Sequence, residues 1–281
     1  LGLSNGPTLA FKDVAMQLVS RLMDHVLTKR DERATIVCAT SGDTGGAAAE
    51  AFRGRKRTDM VILFPKGRVS DVQRRMMTTP TEGNIHPVEI DGTFDDCQSI
   101  VKALFNDHAF RDRVRLAGVN SINWGRIVAQ VTYFFVAAVA LGAPHRAVSF
   151  TVPTGNFGDI FAGYVACKMG LPVERLVIGT NVNDILRRTL ETGTYEVRSV
   201  AATTSPSMDI QVSSNFERLL FEEGGRDAGA VTAMMDGLRQ SGTFTLPEGT
   251  RGAIARLFDA ATTNEAQVAE TMRATLAGSG Y

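Results

Sequence analysis

Short β-branched runs alternate along this chain with stretches of helical spacing, and that alternation limits the fold more than any other feature. Residues 34–40, 60–64, 87–90, 113–119, 147–152 and 175–179 read as strands. Several are continuously apolar, which implies strands covered on both faces. Between them, residues 13–28, 44–53, 69–77, 94–106, 126–141, 159–169 and 183–191 read as helices. In the first helix Val14, Leu18, Leu22 and Val26 recur at four-residue steps with polar residues opposite. The alternation predicts an α/β fold, with parallel-rich sheets flanked by helices and joined by right-handed crossovers. Past residue 200 the pattern turns helical.

At 281 residues the chain is long enough for two domains. Its 30 basic and 30 acidic side chains cancel, which argues against a nucleic-acid backbone or an anionic membrane as partner. The longest apolar run, 131–143, contains Thr132 and Gly142 and falls short of the roughly 20 residues that cross a bilayer. Cys38, Cys97 and Cys167 are widely spaced and odd in number, so neither a disulfide framework nor a zinc site is expected, and a cytoplasmic setting is. His25, His86, His108 and His145 show no ligand or triad spacing, so no metal is expected. Residue 1 is Leu, and chemically distinctive residues begin within the first twelve positions. An interior piece of a longer chain is the expectation.

Ligands of open α/β sheets bind beyond the carboxyl ends of strands. Two loops stand there: Thr40-Ser41-Gly42-Asp43-Thr44-Gly45-Gly46 after the strand at 34–40, and Pro153-Thr154-Gly155-Asn156-Phe157-Gly158-Asp159 after the strand at 147–152. Glycine lets backbone approach a ligand, and the free amides of a helix's first turn favour an anion. A single loop of this kind is ordinarily plain turn and cap chemistry; neither matches a Walker A or a GxGxxG pattern. A third feature, Asn5-Gly6-Pro7-Thr8-Leu9-Ala10-Phe11-Lys12-Asp13, sets a lysine behind Leu9, Ala10 and Phe11. An apolar setting makes an amine a usable nucleophile or base, although an arbitrary lysine near a helix start is usually a surface residue.

The string from Gly6 to Asp13 resembles the pyridoxal-phosphate lysine motif of the threonine synthase family. The loops at 40–45 and 153–159 are similar to that family's second motif and its cofactor-phosphate cradle, in the family's order, and Phe64-Pro65-Lys66-Gly67-Arg68-Val69-Ser70 shares its look. The resemblance is clearest over 4–190 and implies pyridoxal-phosphate fold type II, the architecture of tryptophan synthase β. It further implies residues 1–29 and 125–281 in a large cofactor-binding domain and 30–124 in a small α/β domain.

By the same resemblance, Lys12 joins the aldehyde of pyridoxal 5'-phosphate and later shuttles protons between the substrate's Cα and Cβ and the cofactor's C4′. Gly155, Asn156, Phe157, Gly158 and Asp159 hold the cofactor phosphate. Where relatives place an asparagine against the ring hydroxyl, this chain has Asp43. A carboxylate beside a phenolate is repelled unless a proton lies between them, so Thr40, Ser41 and Thr44 are read as donors to substrate phosphate or carboxylate. Asn120-Ser121-Ile122-Asn123-Trp124-Gly125-Arg126 looks like the substrate-phosphate element, with Asn120 and Arg126 as the clamp and Lys66 and Arg68 as lesser candidates. The implied reaction turns O-phospho-L-homoserine and water into L-threonine and phosphate. The rival readings are another fold type II enzyme, such as a dehydratase or sulfhydrylase, and a catalytically silent binding relative. The family draws the group that meets the pyridine nitrogen from near its C-terminus, and this chain offers no counterpart.

Overall fold

The computed structural model describes residues Leu1–Ser279, and the chain divides into two compact units, Leu1–Gln130 and Val131–Tyr281. The first unit runs through helix α1 (Lys12–Arg30), strand β1 (Ala34–Ala39), α2 (Asp43–Phe52), β2 (Thr58–Pro65), α3 (Asp71–Thr78), β3 (Ile85–Ile90), α4 (Phe94–Asn106), α5 (His108–Val114) and β4 (Leu116–Gly118). Its sheet is parallel throughout, in the order β3-β2-β1-β4.

The most apolar strands are the two in the middle, as the continuous runs predict. Ile36, Met60, Ile62 and Phe64 pack with Met16, Val19, Phe52, Met77 and the alanines of α2, while Val37 and Leu63 meet Cys97, Val101 and Leu104. Helices thus cover both faces of β1 and β2. The edge strand β3 is mostly exposed and holds Pro87, a residue that edge pairing tolerates.

Local chemistry explains most boundaries. Ser70 with Gln73, and Thr93 with Asp96, form capping boxes that start α3 and α4. Only part of the strand expected at 113–119 is extended. Val114 ends α5, and Arg115 turns left-handed at φ 48° so that its N–H meets the carbonyls of Arg111 and Asp112.

The stripe expected to bury α1 faces outward. Leu18 is 50% and Leu22 55% exposed, while Ala15, Met16, Val19 and Ser20 are buried. Helix α2 carries Ala47, Ala48, Ala49 and Ala51, all essentially fully buried. Met16 and Val19 of α1 pack in one cluster with these alanines. The sequence groups residues 1–29 with 125–281 by resemblance; taken by compactness, α1 falls in the first unit, and the boundary follows residue 130.

Helix α6 (Trp124–Ala140) leads into the second unit, which continues with β5 (Val148–Pro153), α7 (Gly158–Lys168), β6 (Val173–Thr180), α8 (Ile185–Thr192), β7 (Thr194–Glu196), a 3-10 turn (Pro206–Met208), α9 (Phe216–Glu223), α10 (Ala228–Ser241), β8 (Thr243–Thr245), α11 (Glu248–Ala255), β9 (Phe258–Thr262) and α12 (Glu265–Ser279). Strands β5, β6 and β9 form a parallel sheet with β6 central, and β7 pairs antiparallel with β8. Strand β9 reads Phe-Asp-Ala-Ala-Thr, too poor in β-formers to announce itself. Pairing with β6, from Leu176–Phe258 to Thr180–Thr262, makes it a strand. Among the described residues no helix is long and apolar enough to cross a membrane, and no cluster of three or more His, Cys, Asp or Glu is placed to hold a metal.

Candidate active site

In the first unit the chemistry gathers beyond the carboxyl end of β1. Thr40 Oγ1 accepts hydrogen bonds from the N–H groups of Gly42 at 3.0 Å and Gly45 at 2.9 Å, which closes the loop onto α2. Those two amides are therefore not available to a ligand, and buried Thr40 is first a loop former. Gly42 sits at φ 143°, a backbone conformation that side-chain-bearing residues rarely adopt, which is what calls for glycine here. Ser41 and Thr44 are half-buried in the same loop.

The lysine turn is fixed by a carboxylate. Buried Asp13 accepts from the Thr8 N–H at 2.9 Å and the Thr8 hydroxyl at 2.6 Å, drawing residues 8–13 into a tight bend with Leu9 at φ 59°. Lys12 opens α1 with its side chain 11% exposed, and its Nζ lies 3.2 Å from Asp43 Oδ2 and 4.9 Å from the centre of the Phe11 ring. Asp43 Oδ1 accepts from Gln73 Nε2 at 2.7 Å. Sequence reasoning supplies the apolar neighbours of the amine and misses its counter-ion.

Arg126, in the first turn of α6, is 4% exposed and donates from Nη1 to the Val119 carbonyl at 3.1 Å, beyond the end of β4. Its charge reaches Cys38 on the neighbouring strand: burial pushes that thiol up to about 11, and Arg126 opposes the rise. Asn123 shapes the turn before α6, with Nδ2 donating to the Gly118 carbonyl and Oδ1 accepting from Gly125. Asn120 is exposed, and its carbonyl accepts from the N–H of Asn123. Lys66 and Arg68 lie on the loop after β2, and both are exposed.

The second loop, after β5, belongs to the other unit. Thr154 is buried, with its hydroxyl on the Val152 carbonyl and its N–H on that of Gly179. Gly155 and Asn156 then turn their carbonyls toward residues 213–215. Ser213 Oγ donates to Gly155 at 2.7 Å, while the backbone N–H and Nδ2 of Asn215 donate to Asn156 at 3.1 and 2.9 Å. Phe157 is left-handed at φ 66°, a conformation held by its ring, which is buried 5.4 Å from Phe216 and 5.8 Å from Phe258. Only its backbone therefore faces the loop's ligand side. Gly158 and Asp159 open α7, and Asp159 Oδ1 accepts from the N–H of Ile160. Among the described residues nothing accepts from the N–H groups of residues 155–158, so the loop presents donors at a helix start, the arrangement that suits a phosphate.

The family model of pyridoxal-phosphate dependent enzymes matches residues 3–276. The chain belongs to this family. It is 52% identical over 280 residues to the threonine synthase of Pseudomonas aeruginosa, spanning all of this chain and 60% of that protein. Among solved structures, pyridoxal-phosphate-bound threonine synthase from Brucella melitensis matches at 64% identity and TM-score 0.96 over all of this chain and 61% of that one. The yeast threonine synthase structure matches at 42% identity and TM-score 0.90, over 97% of this chain and 57% of that one. The chain thus spans about three fifths of the relatives it matches. The fold is that of pyridoxal-phosphate fold type II.

Within the first unit, Lys12, Thr40, Ser41 and Thr44 gather around Asp43, and Arg126 sits past the end of the strand next to β1. Within the second, residues 155–159 form one continuous turn. Sequence reasoning missed Gln73, Ser213 and Asn215. The capping-box spacing of Ser70 and Gln73 was a usable signal for the first; nothing local marks the other two.

Proposed function

We propose that the intact protein is a threonine synthase, which converts O-phospho-L-homoserine and water to L-threonine and phosphate. The observation that carries the reading is a nearly buried lysine amine, held against Asp43 beside a glycine loop, in a chain that aligns along its whole length with threonine synthases.

The residues fit pyridoxal 5'-phosphate. The N–H groups of residues 155–158 face away from the carbonyls tied to Ser213 and Asn215, and a Cβ on Gly155 would lie 2.5 Å from the Ser207 carbonyl, so the turn is built around bare backbone. These amides would hold the cofactor phosphate, with Asp159 opening the helix behind them. Bound cofactor supplies an electron sink for charge that develops on substrate carbons. Lys12 provides the amine that bonds the cofactor and afterwards takes and returns protons at substrate Cα and Cβ. Asp43 orients that amine, and Gln73 holds Asp43 in place. Arg126, with Asn120, Thr40, Ser41 and Thr44, would bind the substrate phosphate and carboxylate; a guanidinium matches phosphate with two parallel donors. For the whole protein we retain the grouping of residues 1–29 with 125–281, and the three free cysteines support a cytoplasmic setting.

The test uses the full-length protein. Inorganic phosphate is expected from O-phospho-L-homoserine, with no ammonia from serine or threonine; ammonia instead would favour a dehydratase. Borohydride reduction is expected to leave the cofactor on Lys12, and Lys12→Ala to abolish both turnover and labelling. Labelling at any other lysine would overturn the assignment.

A further inference from the structure

A polar strap crosses beneath the second glycine loop, and neither the proposed reaction nor the family motifs use it. Ser213 and Asn215 are 4% and 0% exposed, yet both side chains donate to the loop's carbonyls: Ser213 Oγ to Gly155 at 2.7 Å and Asn215 Nδ2 to Asn156 at 2.9 Å. The strap is itself pinned from behind, because the Ser213 N–H donates to the hydroxyl of buried Tyr195 at 2.8 Å. Upstream, Asp209 accepts from Asn181 and Asn183, which follow β6, and from Thr203. Ser207 in between presses its carbonyl against the face of Gly155.

In a trans peptide the N–H of one residue points opposite to the carbonyl of the residue before it. Fixing the carbonyls of Gly155 and Asn156 on the strap therefore fixes the N–H groups of Asn156 and Phe157 on the other side. We propose that Ser213 and Asn215 are positioning residues that aim these two amides at the phosphate of the cofactor, setting affinity for the phosphorylated form without touching it. The inference rests on the reading of residues 155–158 as the phosphate cradle.

The experiment compares pyridoxal 5'-phosphate with pyridoxal, which lacks the phosphate, as ligands of the cofactor-depleted full-length protein. Binding is followed by protein fluorescence. Ser213→Ala leaves a buried carbonyl unsatisfied, and is expected to weaken pyridoxal phosphate about tenfold while moving pyridoxal less than about twofold. Asn215→Ser, which removes Nδ2 but keeps the backbone N–H on the Asn156 carbonyl, should shift pyridoxal phosphate in the same direction by a smaller factor, and thermal melting of each variant reports its folding. Equal losses on both ligands would mean general loosening and overturn the positioning role, as would no loss on either. If the unmodified protein fails to favour pyridoxal phosphate over pyridoxal, the cradle reading itself falls.

Discussion

A methyl group on Gly155 measures how closely the second glycine loop is gripped. The added Cβ would lie 2.5 Å from the Ser207 carbonyl oxygen, against 3.4 Å for ordinary contact. Neither partner is the loose end of a side chain. Ser207 lies in the 3-10 turn, and Asp209 just after it is anchored to Asn181 at 2.7 Å and Asn183 at 3.1 Å. Relief therefore falls on the loop, which carries the Asn156 and Phe157 amides with it. Overpacking of this kind costs about 1–3 kcal/mol, or about 5- to 150-fold in a binding constant if the loop bears it. Gly155→Ala is accordingly expected to weaken pyridoxal phosphate about tenfold or more in a fluorescence titration of the depleted full-length protein. Gly252→Ala is the control: inside α11 its Cβ meets nothing within 4 Å, so the same methyl should be neutral or stabilise by about 0.5–1 kcal/mol. Affinity for Gly155→Ala within about twofold of the unmodified protein would refute the tight apposition of loop and strap.

Phe52 is fully buried among Met16, Ile36, Met60 and Met77, so Phe52→Ala should remove about 3–5 kcal/mol in urea unfolding, and a loss under about 1 kcal/mol would contradict this core. Burial raises the Cys38 thiol to about 11, with Arg126 opposing, so at pH 8 a thiol reagent should modify half-buried Cys167 and spare Cys38 until the protein unfolds. The linked stability follows from the sign of that shift. The folded state keeps its proton longer than the unfolded chain, so the Cys38 contribution is complete below pH 9 and fades as pH rises toward about 11. A Cys38→Ala variant should lack that alkaline decline; an unchanged pH profile would contradict the assignment.

Much of the fold was legible because its signals are short-range. The apolar runs of β1 and β2 and the glycines at 42 and 155 each declare themselves within a few residues. The exceptions are instructive. Helix α1 carries two plausible faces, and periodicity favours Val14, Leu18 and Leu22, whereas packing on the alanine surface of α2 selects the face of Met16 and Val19. Strand β9 is poor in β-formers and exists through its pairing with β6. Thr40 also closes its own loop, its oxygen accepting from two amides while its hydroxyl proton stays able to donate, a double duty that the sequence does not announce.

What the residue order settled alone was the α/β class, most of the elements up to residue 191 and the two glycine turns with the lysine bend, since backbone angles and side-chain periods are local quantities. What required the folded chain was every partnership across distance: Lys12 with Asp43, 31 residues apart, and the loop at 155–156 with Ser213 and Asn215, 58 and 59 residues on. Such pairs leave no mark in spacing or composition. They arise only when the chain folds and segments remote in sequence come to lie side by side.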